Sequence, residues 1–215
     1  MKKLATVLYG SQNYGLDVET SDKDYHTIYF PDLQTIYDAK MLTGSYYDVR
    51  RFFNNLSKCN FNALELLYSV EKDFYDDDFK AFLKEVPVME LVCENIDNLF
   101  NSIAGLIHEN FKKLEKKDEL KYHARVYYLV EFLQKVAREK FVDRMTFRGA
   151  HSDRAKDVRL GKTEPYTKEH VERILQLLKP LLVPKNTSKK YTLEFQKKCQ
   201  NWFWQKMEKE LLENE

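Results

Sequence analysis

The spacing of hydrophobic and polar residues divides the chain into a short strand-forming segment and a long helical remainder. Residues 3–9 alternate loosely and end at Gly10-Ser11, which predicts a strand that runs into a turn. A second strand is predicted over Asp24–Phe30, because this segment is rich in β-branched and aromatic residues and is followed by Pro31. Residues 46–49 are interpreted as the end of a third strand that leads into a helix.

Beyond these strands the apolar positions recur with a helical period, so we expect the sheet to be complete after the third strand. Asn60 is a suitable N-cap for a helix over residues 62–68, and the acidic residues 76–78 suit the positive end of another short helix. Further helices are predicted up to about residue 58, over residues 90–116, 119–139 and 167–178, the last ended by Pro180, and from residue 189 onward.

These elements predict an α+β fold with a small mixed sheet at the N-terminus, flanking helices and an all-helical C-terminal half. We place a boundary near Pro87, which gives an N-terminal domain over residues 1–86 that contains the sheet and a helical domain over residues 87–215.

Composition narrows the class of protein. Lys and Arg number 35 against 34 Asp and Glu, so any binding of nucleic acid has to come from local basic patches rather than from the net charge of +1. The three cysteines have no CxxC spacing, which argues against a zinc site or a disulfide framework and favours a reducing cytoplasm. No stretch has the length and apolar character needed to cross a bilayer, and the sequence does not fix the oligomeric state.

The segment with the strongest chemical signal is the turn and strand start from Gly10-Ser11 to Ser21-Asp22-Lys23-Asp24. Side chains two residues apart on an extended strand point to the same face, so both aspartates can bind one cation site. Carboxylate oxygens of this kind suit magnesium, which completes its coordination with water and phosphate oxygens. The Gly-Ser turn adds backbone N–H groups and a hydroxyl for a phosphate.

The spacing of Gly10-Ser11, Tyr14-Gly15 and Ser21-Asp22-x-Asp24 resembles the nucleotidyltransferase superfamily of DNA polymerase beta. Within that superfamily it is similar to a branch of predicted bacterial and phage nucleotidyltransferases, some of them associated with RNA ligases. Tyr47-Asp48-Val49-Arg50-Arg51, with the downstream Leu64-Glu65-Leu66-Leu67, is similar to a second block of the branch. A weaker third block includes Lys121, His123 and Arg125 and extends to Asp157-Val158-Arg159 and Gly161-Lys162.

The resemblance implies the nucleotidyltransferase fold and transfer of a nucleoside monophosphate from a nucleoside triphosphate to an acceptor hydroxyl. Two Mg²⁺ ions would be held by Asp22, Asp24 and a third carboxylate, for which Asp48 is the first choice and Glu65 the rival. Asp48 has an alternative role as the N-cap of the helix that begins near Arg50, and Glu65 has one in a structural hydrogen bond.

Candidate phosphate ligands are basic side chains close to these blocks. Gly10, Ser11, Arg50, Arg51 and Lys58 are assigned to nucleotide binding, while Arg159 and Lys162 are further candidates for a phosphate or an acceptor strand.

The acceptor can be an RNA end, a protein or a small molecule. A different class of function, a non-catalytic module that keeps the nucleotidyltransferase fold and binds nucleic acid or protein, is the alternative. His123 and the aromatic run Trp202-Phe203-Trp204 are interpreted as packing residues, with an oligomer contact as a second possibility for the aromatic run.

Overall fold

The sheet has four strands in the order β3-β2-β1-β4. This computed structural model describes residues 1–19, 21–38, 46–139, 142, 147–182 and 188–212. The central strand β1 (Lys2–Tyr9) pairs antiparallel with β2 (Asp24–Phe30) and β4 (Lys72–Phe74), while β3 (Tyr46–Asp48) pairs parallel with β2. The sheet is therefore mixed, as the sequence predicts.

Helices surround this sheet and make up the C-terminal half. Those in the first part of the chain are α1 (Leu33–Tyr37), α2 (Val49–Ser57), α3 (Phe61–Leu67) and α4 (Asp77–Lys84). Those that follow are α5 (Val88–Leu114), α6 (Leu120–Glu139), α7 (Ala150–Arg159), α8 (Lys168–Leu182) and α9 (Lys190–Leu212). The predicted α+β architecture is confirmed, and no helix of the described residues is long and apolar enough to span a membrane.

Several helix starts agree with the sequence reading because a side chain caps each of them. The Asn60 side chain accepts a hydrogen bond from the Asn62 amide at 3.1 Å and begins α3. Asp76 accepts one from the Phe79 amide at 2.9 Å and begins α4. These local bonds satisfy amides that have no partner within the helix.

Several details differ from the sequence prediction. The sheet does not end at β3, because the short strand β4 adds to the free edge of β1. Helices α1 and α7 were not predicted, and α8 continues past Pro180 to Leu182. A proline in the last turn of a helix removes only one hydrogen bond, so the helix can continue for two more residues.

One hydrophobic core runs through both halves of the chain. The last helix brings Trp202 and Phe203 against aromatic side chains of the sheet and of α2 and α4. Ring centroids of Phe203 and Phe30 are 5.0 Å apart, and those of Trp202 and Phe53 are 5.4 Å apart. The predicted packing role of the aromatic run is confirmed for these two residues, whereas Trp204 is 62% exposed.

The long helix α5 is bent at Asn95, whose φ of −128° and ψ of 28° are not helical. The start of α9 holds this bend. Thr192 Oγ1 accepts a hydrogen bond from Asn95 Nδ2 at 2.7 Å, and Lys189 Nζ donates to Asn95 Oδ1 at 3.0 Å. The Glu94 carboxylate accepts the amides of Tyr191 and Thr192 at 2.9 and 2.8 Å, so it caps the positive end of α9.

Candidate nucleotide site

The turn after β1 has a helical shape and a fixed orientation. Gly10 O accepts hydrogen bonds from the amides of Asn13 and Tyr14, and Ser11 O accepts one from Leu16. Gly10 has a φ of +80°, and a Cβ placed on it would lie 3.6 Å from Asp24 Oδ2. Glycine thus allows both the left-handed backbone and the close approach of the aspartate.

The amides of this turn do not all face the same way. The sequence analysis expected the Gly10 amide to bind a phosphate. This amide instead donates to Glu65 Oε1 at 2.8 Å, so it is not available to a phosphate. The amides of Ser11 and Gln12 and the Ser11 hydroxyl donate to no other group in the described part of the chain. These three donors at the start of the turn are the ones suited to bind a phosphate.

Asp22 and Asp24 lie together at the mouth of a cleft of about 520 Å³. Asp24 is the first residue of β2 and pairs with Tyr9 at the end of β1, while Asp22 lies just before the strand. Both aspartates are exposed and line the cleft together with Gly10 and Ser11. The four positions that the sequence motif singles out are thus brought to one place.

The other charged residues that line the cleft are basic and come from the C-terminal half. Lys113 of α5, Lys121 and Arg125 of α6 and Arg159 of α7 all line it. Asn110 lies one helical turn before Lys113 and also lines the cleft. Sequence reasoning proposed Arg159 but missed Lys113 and Asn110, because no local pattern marks a residue on a long amphipathic helix as part of a distant site.

A buried acid lies beneath the turn. Glu65 on α3 is 0% exposed, and burial raises the pKa of its carboxyl to about 7, while the neighbouring Arg125 acts in the opposite direction. Arg125 Nη2 is 3.9 Å from Glu65 Oε2 and 2.6 Å from the Tyr14 hydroxyl oxygen, to which it donates. The guanidinium lies over the Tyr14 ring at 3.9 Å from its centroid. Tyr14, a motif residue with 0% exposure, thus supports a cation of the cleft wall.

Two arginines fasten the segment that leads to the aspartates. Arg148 donates to the carbonyl oxygens of Gln12 and Asn13 at 2.6 and 3.1 Å. Arg159 donates to Leu16 O at 2.7 Å and to Ser21 Oγ at 3.0 Å. Arg159 therefore donates hydrogen bonds to the loop and also lines the cleft. The exposed Lys162, the other candidate in this region, lies 3.9 Å from Asp157.

The structure does not bring Asp48 to the aspartate pair. Asp48 is aligned with Tyr29 in the parallel register of β2 and β3, five residues along β2 from Asp24. At roughly 3.3 Å per residue this separates their backbones by about 17 Å. The Asp48 carboxylate is 0% exposed, accepts the Arg50 amide at 2.8 Å and pairs with the Arg50 guanidinium at 2.5 Å. It caps α2, so the expectation that it shares a metal with Asp22 and Asp24 is corrected.

The basic residues assigned to nucleotide binding near Asp48 lie outside the cleft for the same reason. Arg50 turns to Asp48, Arg51 lies 5.3 Å from the centre of the Tyr47 ring, and the exposed Lys58 ends α2. Of the sequence-predicted residues, the site residues of the first block and Lys121, Arg125 and Arg159 of the third block line the cleft. The cations that line the cleft come from α5, α6 and α7 instead.

The donor set at the cleft suits a magnesium ion that arrives with phosphate. Among the described residues no group of three or more His, Cys, Asp or Glu side chains is placed to hold a metal. Two exposed carboxylates in one cleft supply hard oxygen ligands, and magnesium usually takes only one or two of these together with phosphate oxygens and water. Asp22 and Asp24 therefore fit one ion bound jointly with a phosphate.

Comparisons with protein-family models, with curated proteins and with solved structures gave no match for this chain.

Proposed function

We propose that the protein is a magnesium-dependent nucleotidyltransferase that moves a nucleoside monophosphate from a nucleoside triphosphate to an acceptor hydroxyl. The observation that carries the proposal is the presence of both signs of charge in one cleft. Asp22 and Asp24 line it together with Lys113, Lys121 and Arg125. A triphosphate needs both kinds of group, since a metal bound by carboxylates covers only some of its oxygens and cations have to neutralise the rest.

The reaction that suits this cleft is an in-line displacement at the α-phosphorus. The acceptor oxygen forms a bond to phosphorus, the bond from phosphorus to the bridging oxygen breaks, and pyrophosphate leaves with that electron pair. The acceptor proton passes to solvent or to a base. Asp22 and Asp24 would hold a magnesium ion, which would neutralise charge on the phosphate oxygens and make the phosphorus more electrophilic. Ser11 and the turn amides bind, and Arg125 orients, the phosphate chain.

The proposed fold is that of the nucleotidyltransferases. Supporting features are the antiparallel pair β1 and β2, the Gly10-Ser11 turn at the end of β1, and Asp24 at the adjoining end of β2. The acidic pair and the turn then face the same cleft, which is what a phosphate-bound metal requires.

The position of Asp48 favours a second candidate, a non-catalytic module that binds a nucleotide, a nucleic acid or a protein through the same cleft. A two-metal mechanism needs a third carboxylate beside the pair, and Asp48 instead caps α2. Glu65 is near the turn, but it is buried and already bonded to Gly10. A protein of this class would bind a magnesium triphosphate without transferring it.

A transfer assay separates the two candidates. The protein is incubated with Mg²⁺ and each of the four α-labelled ribonucleoside triphosphates, alone, with an RNA bearing a free 3′ hydroxyl, and with an extract of small metabolites. We expect label on one acceptor class and release of pyrophosphate. Nucleotide binding without label on any acceptor would establish the module and exclude the enzyme.

Asp24→Asn is the variant that ties the activity to the cleft. It removes a charge from an exposed side chain, so we expect turnover to fall by at least about 100-fold with little change in the melting temperature. Asp17→Asn is the matched control, because Asp17 lies on the same loop but does not line this cleft. Equal activity in both variants would contradict the assignment of the aspartate pair.

A further inference from the structure

Glu65 is buried in surroundings where a carboxylate lowers the stability of the folded protein. The side chain is 0% exposed, and its Oε1 accepts a hydrogen bond from the Gly10 amide at 2.8 Å. Within the described part of the chain, the second oxygen, Oε2, accepts no hydrogen bond. An acid in such surroundings lowers the stability of the fold unless a neighbouring charge offsets the cost, so an apolar residue would pack there more favourably.

Arg125 is the charge that faces the unbonded oxygen. Its Nη2 lies 3.9 Å from Glu65 Oε2, and the same nitrogen donates to the Tyr14 hydroxyl. Stacking on the buried Tyr14 ring fixes the plane of the guanidinium. The side chain is 15% exposed, and that exposed part contributes to the wall of the cleft. Arg125 therefore joins the buried acid to the surface at which a ligand binds.

The two oxygens of Glu65 thus lead to the two phosphate-binding features of the cleft. Oε1 holds the start of the turn that presents the free amides of Ser11 and Gln12. Oε2 faces the Arg125 guanidinium, which also lines the cleft. Asn13 fastens the same turn to the end of α3, since its Nδ2 donates to Glu65 O at 3.3 Å. The turn and Arg125 are consequently both held by contacts with Glu65 of helix α3.

We propose that Glu65 is a positioning residue for triphosphate binding, which aligns the Gly10-Ser11 turn and the Arg125 guanidinium so that both contact the same phosphate group. The proposal rests on the proposed function for the identity of the ligand as a nucleoside triphosphate. Glu65 itself touches neither the ligand nor the metal. Its effect is pre-organisation, because donors that are already aligned lose less conformational freedom when the phosphate binds.

The sign of one substitution distinguishes positioning from simple charge. Above pH 7, where the Glu65 carboxyl is ionised, Glu65→Gln keeps the shape and an acceptor for the Gly10 amide, but it removes the negative charge that faces Arg125. If Glu65 acted only through its charge, this change would strengthen the binding of an anion, because a repulsive group would be gone. Positioning by Glu65 predicts the opposite, weaker binding of the phosphate.

The probe is inorganic tripolyphosphate with Mg²⁺, which carries the phosphate chain of every nucleoside triphosphate and no base. Isothermal titration calorimetry gives its Kd for the wild type, Glu65→Gln, Arg125→Gln and the double variant. We expect each single variant to raise the Kd at least about tenfold. The double variant should be little weaker than the weaker single one, since the two residues act as a unit.

Asp76→Asn is the matched control, because Asp76 is also a buried carboxylate that accepts a backbone amide, at the start of α4 and outside the lining of the cleft. It is expected to change stability without changing the Kd. Arg125→Lys is a second test of the proposal, for the case in which Glu65→Gln does not fold. It keeps the charge but loses the planar fork, and we expect a Kd at least about fivefold above that of the wild type.

Tighter or unchanged binding by a folded Glu65→Gln, an unchanged Kd in Arg125→Lys, or independent multiplication of the two losses would overturn the proposal, as would a wild type that does not bind the probe. Failure of the proposed function has a different signature. In that case the wild type binds magnesium tripolyphosphate, and Glu65→Gln weakens it, but no nucleoside triphosphate yields a labelled acceptor.

Discussion

At the scale of single residues, Gly10 separates two carboxylates with opposite environments. Its amide donates to the buried Glu65, while its Cα lies beside the exposed Asp24. Gly10 thus contacts two acids, Glu65 in the protein interior and Asp24 in the cleft. Any side chain at this position would have to adopt a left-handed φ of +80° next to the Asp24 carboxylate.

The raised pKa of Glu65 makes a prediction about stability and pH. The group has an ordinary pKa of 4.5 and a folded value of about 7, so the folded protein holds a proton that the unfolded chain releases between these values. Stability that Glu65 contributes in its protonated form is complete below pH 4.5 and is lost as the pH rises through 7. From pH 4.5 to 8 the loss is on the order of 3 kcal/mol.

Denaturant unfolding of the wild type and of Glu65→Gln at several pH values measures this effect. The wild type should lose stability relative to the variant as the pH rises, because glutamine does not titrate. Parallel stability curves for the two proteins would show that Glu65 is ionised in the folded protein throughout this range.

The site residues that could be predicted from sequence are those whose neighbours are local. Asp22 and Asp24 lie two positions apart at the start of a strand, and the turn at Gly10-Ser11 precedes them in the same hairpin connection. Their proximity follows from the backbone alone. Arg125 is brought to the same cleft only by packing of α6, and no spacing in the chain encodes that distance.

At the scale of elements, the parallel register of β2 and β3 determines the position of Asp48. An acid at the end of a strand can reach a neighbouring strand only if the register aligns them, and the parallel pairing aligns Asp48 with Tyr29 rather than Asp24. The sequence contains both possible roles of Asp48, metal ligand and helix cap, and only the register chooses between them. The cap satisfies the first amides of α2 and keeps the carboxylate in the core.

Asp48→Ala is expected to lower the free energy of unfolding by about 1–2 kcal/mol, because α2 loses its cap and Arg50 loses its buried partner. Asp48→Asn should recover most of this loss, since asparagine caps a helix nearly as well. Chemical denaturation of the three proteins measures the difference. Equal stability of the alanine variant and the wild type would contradict the capping role.

The elements that sequence reasoning missed have weak local signals. Strand β4 is three residues long, and only its Phe74 is apolar, so it has no period to detect. Helix α7 has few apolar residues, and Gly149 precedes it without a side-chain cap. Both form because a partner is already present, the free edge of β1 for the strand and the surface of α6 for the helix. Tertiary contacts of this kind are not visible in a single sequence.

At the scale of the whole molecule, the predicted boundary near Pro87 coincides with the start of α5, yet the core continues across it. Phe203 of α9 packs on Phe30 of β2, and Trp202 packs between Phe53 and Phe79. The C-terminal half also supplies the basic wall of the cleft and the two arginines that fasten the turn. The cleft residues of the first half therefore depend on the second half for their surroundings.

Phe203→Ala is expected to destabilise the protein by about 3 kcal/mol or more, because it removes a nearly buried ring from the core that both halves share. The neighbouring Trp204→Ala is the control, since Trp204 is 62% exposed and its loss should cost little. Unfolding followed by far-ultraviolet circular dichroism and by tryptophan fluorescence should give one coincident transition. Two separate transitions would indicate halves that unfold independently.

The bend at Asn95 affects where the far part of α5 lies. Beyond this bend, α5 continues to Lys113, which is about 27 Å away, since 18 residues rise by 1.5 Å each. A change of only 10° in the bend angle would move the lysine by roughly 5 Å, which is more than the length of a hydrogen bond to a phosphate. Thr192 and Lys189 at the start of α9 hold Asn95 by hydrogen bonds. Thr192 and Lys189 therefore contribute, from the far end of α5, to the position of a lysine that lines the cleft.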